Sequence, residues 1–232
     1  LIDHEVPIFT NGCSNDTVCS YPNDCFPTNV TFCAEAVDDC TPLNQIKYRY
    51  AIDRSSNGTI DLQGNTSCVT INNAELAKGA HQITWSAEDN CGNVATCSKI
   101  FKVKDCSKPV AIAKATTYEL SPTSCTATLL ASKINQSSTD NCTPPSQLIF
   151  KVVKEKDWNP DFTTDQVLGL PEQIIFTDTN AGANFVYLVV IDSDKNWSYF
   201  RTLAVVNNSI NCDQKLSKSS TLIAATETNL QV

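Results

Sequence analysis

Twelve cysteines carry most of the chemistry this sequence could do: Cys13, Cys19, Cys25, Cys33, Cys40, Cys68, Cys91, Cys97, Cys106, Cys125, Cys142 and Cys212. The closest of them stand six apart (13/19, 19/25, 91/97), and no Cys-x-x-Cys occurs. Zinc sites take cysteine pairs about two to four residues apart, with a second pair or His nearby. The two histidines, His4 and His81, lie far from any such pair. An even count at these spacings reads as disulfides rather than metal ligands, and so as a compartment outside the cytoplasm. Asn-x-Ser/Thr sequons at Asn15, Asn29, Asn57, Asn65, Asn135, Asn141, Asn196 and Asn207 agree with an exported chain. They mark surface loops and are the glycosylation candidates.

A second constellation runs from Asp53 to Asp61, Asp-Arg-Ser-Ser-Asn-Gly-Thr-Ile-Asp. Asp53, Ser55, Asn57 and Asp61 place oxygen side chains as the first nine positions of a calcium loop do, with Gly58 at the sharp turn. Where such a loop ends on a bidentate Glu, this sequence has Gly64. The same residues also make an Asn-Gly hairpin turn, which needs no metal. Calcium on these four residues and a bare turn both stay open; no other cofactor is implied.

Catalytic motifs are missing. There is no Gly-x-Ser-x-Gly, His-Glu-x-x-His, phosphate loop or Gly-x-Gly-x-x-Gly. His4 near the terminus and His81 ahead of a strand read as surface or edge residues, because a triad base needs partners that neither has. The acidic pairs Asp38/Asp39 and Asp192/Asp194 read as turn residues. Trp85 alternates with Ile83 and Ala87 and belongs to a core. Trp197 reads as a core or inter-domain plug. Trp158, in a polar loop with Pro160, is the aromatic best placed to contact a sugar, although large aromatics more often pack. The chain reads as non-enzymatic.

Composition narrows the partners. The 232 residues are 41% hydrophobic and 18% charged, which suits a folded chain. The net charge of −8 disfavours nucleic acid. The longest apolar run, Phe185 to Ile191, is seven residues, far short of the roughly 20 a membrane helix needs. No Met occurs, even at position 1, so the expectation is a processed or interior segment of a longer chain.

The elements that hold these residues come in two copies. Asp39-Cys40-Thr41-Pro42 and Gln45 recur as Asn141-Cys142-Thr143-Pro144 and Gln147, an offset of 102. Asp3 and Pro7 recur as Asp105 and Pro109 at that offset, while Asp89 and Asn93 map near Asp192 and Asn196, at 103. Within each copy the hydrophobic period is two: Ile83, Trp85 and Ala87 on one face, Thr84, Ser86 and Glu88 on the other. Turn clusters every 8–12 residues or so indicate a β-sandwich. A short helical turn is expected over Asn73 to Lys78, ended by Gly79. The expected organisation is a sandwich over residues 1–104, a second over 105–208, and a tail or start of a further repeat over 209–232.

The hairpin Asp89-Asn90-Cys91-Gly92-Asn93-Val94-Ala95-Thr96-Cys97 resembles the closing hairpin of hyalin-repeat (HYR-type) immunoglobulin-like domains. Val6-Pro7-Ile8-Phe9, with Cys13 and Asn15 to Val18, resembles their opening strand. The Asp53 to Asp61 stretch, the strand Gly79 to Trp85 and the joint Asp105 to Pro109 resemble the long HYR-like repeats of giant surface proteins of Bacteroidota. The second copy departs from the pattern at Asp192 to Asn196, which lacks the hairpin cysteines. The resemblance implies an all-β fold of tandem, disulfide-linked immunoglobulin-like sandwiches. It also implies a non-enzymatic structural segment of an extracellular, cell-surface adhesin or filament, with neighbouring copies or repeats docked end to end and surface glycans as further partners. The alternative is a carbohydrate-binding or spacer module of a secreted multidomain enzyme. The resemblance contributes the pairs Cys13–Cys97 and Cys40–Cys91. Proximity and elimination add Cys19–Cys25 and Cys33–Cys68. The partners of Cys106, Cys125, Cys142 and Cys212 stay open.

Overall fold

The computed structural model describes residues 3–20, 25, 27, 29–72 and 75–208. The chain divides into two units, one through Ser107 and one from Lys108. Each is a disulfide-bonded, immunoglobulin-like β-sandwich. The expected tail, with Cys212, lies outside the described residues, as do Asn73 and the residue after it in the expected helical turn.

The first unit has strands β1 (Ile8–Asn11), β2 (Asp16–Cys19), β3 (Val30–Cys33), β4 (Glu35–Val37), β5 (Lys47–Asp53), β6 (Leu62–Gly64), β7 (Cys68–Ile71), β8 (Gly79–Glu88) and β9 (Val94–Lys104). One sheet runs β2-β9-β8-β5-β6; β3 pairs with β7, and β1 with β4. Alternation along β8 turns His81, Ile83, Trp85 and Ala87 inward. Ile83 and Trp85 meet Phe32, Val69 and Ile71 of the β3–β7 pair in one core. His81 thus corrects the surface reading: only 2% exposed, it stacks on Phe101 at 5.0 Å between ring centres. It shares the inward parity of Trp85, and its Nε2 meets the Ala77 carbonyl at 2.8 Å.

The opening of this unit changes partners. β1 lies antiparallel to β4, and β2 then lies parallel to β9. The crossing falls at Gly12, with φ of +97°. A Cβ there would stand 2.7 Å from the Ala34 Cα, so both the backbone angle and the space call for glycine.

The second unit repeats the plan with β10 (Thr116–Glu119), β11 (Thr126–Leu130), a short helix α1 (Ala131–Ile134), β12 (Ile149–Lys154), helix α2 (Thr164–Leu168), β13 (Gln173–Thr177), β14 (Gly182–Ile191) and β15 (Trp197–Asn207). The larger sheet runs β10-β15-β14-β12, and β11 pairs with β13. β10 lies parallel to β15, as β2 does to β9. Leu129, Phe176, Val186, Leu188 and Val190 fill the core.

The units differ between β12 and β13. Where the first unit makes a tight turn into β6, the second carries a longer segment with α2. Thr163 caps that helix with a capping box shared with Gln166. Val167 packs on Val189 and Ile191, with Trp158 and Phe162 against the same cluster. β14 is therefore covered on both faces, which is why its sequence is a continuous apolar run and not an alternating one.

Gly12→Ala should cost about 1–2 kcal/mol from the left-handed backbone alone, with more from the contact at Ala34. Urea unfolding should show a lower midpoint with an unchanged slope.

Candidate functional site at one end of the first unit

The N-terminal segment, the β4–β5 connection and the β8–β9 turn converge on a group of carboxylates. Asp89 is fully buried and organises the turn. Its Oδ1 accepts the N–H groups of Cys91 (2.8 Å) and Asn93 (2.7 Å), and its Oδ2 accepts the Asn93 side-chain amide at 2.6 Å. Asp38 Oδ1 accepts the N–H groups of Cys40 and Thr41 at 3.2 and 2.7 Å. The two loops are joined: Asn90 N donates to Thr41 Oγ1 at 3.1 Å, and the Asn90 side chain donates to Gln45 Oε1 at 2.5 Å. The Asn93 amide also donates to the Asp3 carbonyl at 3.3 Å. Carboxylate oxygens of Asp3, Asp38 and Asp89 lie within 4.8 Å of one another, as do those of Asp3 and Asp39 with the Cys40 sulfur. The first set is all oxygen, the donor type of hard divalent cations.

The second unit rebuilds the same loops. Asp192 Oδ1 accepts the N–H groups of Asp194 and Asn196, each at 2.8 Å, and its Oδ2 accepts the Asn196 amide at 2.7 Å. Asp140 Oδ2 accepts Cys142 N and Thr143 N, and Thr143 Oγ1 accepts Ser193 N at 3.1 Å. Asp194 stands where the first unit has Cys91.

Proton affinity separates the two turn carboxylates, Asp89 and Asp192. Burial raises the Asp89 carboxyl, but the Asn93 side chain and the amides of Asn93, Cys91 and Gly92 outweigh it and hold it below its ordinary value. At Asp192 burial wins, with the nearby Asp140 carboxylate adding to it, and the carboxyl sits above its ordinary value despite the Asn196 bonds.

The disulfides show what strand direction does. Cys13 is joined to Cys97, with Cα atoms 5.7 Å apart, and Cys33 to Cys68, at 4.1 Å. Cys19 is joined to Cys106, which corrects the expected Cys19–Cys25 pair. β2 runs parallel to β9 and aligns Cys19 with Lys104, so the end of β2 meets the chain leaving β9. Ser20 N donates to the Lys104 carbonyl at 2.8 Å just beyond. Cys25, Cys125 and Cys142 are also disulfide-bonded. The expected Cys40–Cys91 pair is a second correction, because both are exposed free thiols. Their loops touch, but the Asp39 carboxylate, then burial and Asp3, push the Cys40 thiol up. A higher pKa lowers the thiolate fraction of Cys40 and slows its reactions at neutral pH.

Around Asp53 the structure builds a tight loop. Asp53 Oδ1 accepts the N–H groups of Ser55 (3.0 Å) and Asn57 (3.1 Å), and Oδ2 that of Gly58 (2.6 Å). Asp61 Oδ2 accepts Arg54 N, and Asn57 Oδ1 accepts Thr59 N. Burial raises the Asp53 carboxyl, and these amides more than offset it, leaving its pKa below the ordinary value. Asn57 and Asn65 are exposed, as are Asn15, Asn29 and Asn207. Asn135, Asn141 and Asn196 are half-buried, and Asn196 gives its amide to Asp192. Trp158 stacks on Tyr187 at 4.4 Å and meets Tyr199 at 4.5 Å, packing against its own unit together with Trp197. The turn-organising roles of Asp89 and Asp192 were missed by the sequence reading; their recurrence beside an Asn four residues on is the signal that marks them.

No family model matches this chain, and no curated protein matches it. Solved structures do. The immunoglobulin domains 1–4 of Sidekick-1 align over 87% of this chain at 14% identity with a TM-score of 0.47. DIP-gamma IG1+IG2 aligns over 88% at 12% and 0.38, and fibronectin(III)-like modules of Clostridium thermocellum CbhA over 88% at 13% and 0.31. The chain spans about half, 49%, of the Sidekick-1 structure and 99% of the DIP-gamma one.

Thiol reagents applied to the oxidised protein should label Cys40 and Cys91 and spare Cys13, Cys19, Cys33, Cys68, Cys97 and Cys106. Asp39→Asn should speed labelling of Cys40 at neutral pH, checked by mass spectrometry of the labelled peptides.

The two turn carboxylates should answer acid in opposite directions. The stability contributed by Asp89 is present above the ordinary carboxylate value of about 3.9 and is lost as pH falls through its depressed pKa. That of Asp192 is fully present below about 3.9 and is lost as pH rises through its raised pKa. Amide exchange in the two turns, followed on acidification, should show this contrast, and Asp89→Asn should flatten the response of the first turn.

Proposed function

We propose that the chain is a non-catalytic, load-bearing pair of immunoglobulin-like beads from an extracellular adhesin or surface filament. Copies or neighbouring repeats dock end to end, as the hyalin-repeat resemblance implies. One observation carries this reading: the opening strand of the first unit is covalently tied to its closing strand by Cys13–Cys97 and to the exit segment by Cys19–Cys106. Tension entering before Cys13 crosses to Cys106 through sulfur, so residues 20–105 lie outside the load path. A sandwich held only by hydrogen bonds would unfold under enough force. This one transmits force without drawing on its core. In the chain-entropy model the first of these cross-links, spanning 84 residues, would add roughly 4–5 kcal/mol, and the second, which then closes a much shorter loop, less. They also require an oxidising compartment. Among the described residues no helix is long and apolar enough to cross a membrane.

Pulled between its ends in a single-molecule force experiment, the oxidised protein should give no first-unit step of whole-domain size. With reductant, unfolding of residues 20–105 should add about 300 Å of extended chain. A whole-domain step from the oxidised first unit would remove the reading. Calcium on Asp53, Ser55, Asn57 and Asp61 is a separate proposal, tested by melting with and without chelator. A bound ion predicts a lower melting temperature in chelator that Asp53→Ala abolishes, and an unchanged melt leaves the amide-built turn alone.

A further inference from the structure

We propose that a groove on the outside of the β1–β4 pair in the first unit binds a basic side chain, lysine or arginine, presented by an extended segment of a partner protein. The groove holds about 240 Å³ and is lined by Glu5, Val6, Ile8, Val37, Asp38 and Asp39. Its floor is apolar and open to water: Val6 is 50% exposed, Ile8 67% and Val37 41%. Ile8 and Val37 face each other across the strand pair. Its rim is acidic on both sides. Glu5, Asp38 and Asp39 make no ion pair with any lysine or arginine among the described residues.

An apolar floor under carboxylates that have no ion-pair partner among the described residues selects its occupant by charge. A lysine lays its four-carbon stem on apolar surface and keeps its ammonium at the edge, and arginine does the same with its guanidinium. A divalent cation would gain nothing from Val6, Ile8 and Val37. A purely apolar segment would bury the rim carboxylates against carbon, which costs free energy.

The second unit shows that the fold does not demand these side chains. The Ile8–Val37 pairing recurs there as the bridge between Val110 and Thr139, at the offset of 102. At that offset Glu5 becomes Ser107, Val6 becomes Lys108, Val37 becomes Thr139 and Asp39 becomes Asn141. The apolar floor and the acidic rim therefore weaken together, and a positive charge enters. Lys108 instead sets its ammonium 5.8 Å from the centre of the Trp197 ring. The same backbone is built without Glu5, Val6, Val37 and Asp39, so these four are free of that structural duty, while Asp38 recurs as Asp140 and Ile8 as Val110.

The inference does not rest on the load-bearing reading, because binding in the groove and force transmission through sulfur are measured separately. The test uses the full chain and the peptide acetyl-Val-Lys-Val-Lys-Val-amide, followed by amide chemical shifts. Titration should move the amides of Val6, Ile8, Val37 and Asp39 together. Replacing both peptide lysines with glutamine should weaken binding about tenfold or more, as should Glu5→Gln with Asp39→Asn in the protein; raised salt should weaken it further. Both protein substitutions are at surface positions, and a preserved spectrum elsewhere verifies the fold. Val37→Thr, the residue of the second unit, should weaken binding without changing its salt dependence. No shift, equal binding of the glutamine peptide, or shifts mapping to another surface would overturn the proposal. So would calcium chloride alone moving the same amides and displacing the peptide, since the groove would then be a metal site.

Discussion

The parallel pairing of an opening strand with a closing strand is the constraint on which each sandwich depends. A parallel pair cannot be closed by a hairpin, so the rest of the unit must be threaded between β2 and β9 before they meet. The entropy of that closure is large and falls on the unfolded chain. In the first unit two disulfides lie at this junction, one from Cys13 just ahead of β2 and one from Cys19 at its last residue. The cross-links stand where the topology is most costly to close. Gly12 serves the same junction, since only a residue tolerant of positive φ and of close backbone approach lets the chain leave β4 and join β9.

The second unit meets the same constraint with β10 and β15 and spends its extra residues elsewhere. Its β12–β13 segment folds over the outer face of β14 and gives that strand a second buried side. The price is a larger aromatic surface to satisfy, and Trp158, Tyr187 and Tyr199 satisfy one another by stacking. The aromatic that looked best placed for a sugar is thus used by the unit's own packing.

The period-two strands and the offset of about a hundred residues made the tandem-sandwich class readable from the sequence, because alternation and repetition are local signals. The turn at Asp89 and Asn93 was readable as a turn, but not as a buried carboxylate, because burial is set by the loop that Thr41 and Asn90 pin against it. Cys19 was misplaced for a related reason. Cys13 and Cys25 are equally near it in sequence, six residues away on either side, while an extended β2 carries it to the far end of β9, and strand direction is not written in spacing. His81 was placed at an edge by its position ahead of the apolar residues; its parity with Ile83 and Trp85 already put it inside. Residues 154–172 show no alternation because their helix packs on a sheet face rather than joining an edge.

Comparison of the two units separates what the backbone requires from what it permits. Both use an Asp to bind two backbone amides and an Asn side chain four residues on, with nearly the same distances. The geometry is therefore a property of the turn. The charge state is not: the amides win at Asp89, while burial and Asp140 win at Asp192. The same division appears at Cys91 and Asp194, at Val6 and Lys108, and in the segment after β5 and β12. The turn aspartate and its asparagine keep their chemistry between the copies; the disulfides that close the first sandwich do not recur in β10 or β15, which contain no cysteine, and several outward positions change as well. The groove proposed on the first unit lies among the outward positions that change, and the second unit, which lacks its acidic rim at Ser107 and Asn141, is its control.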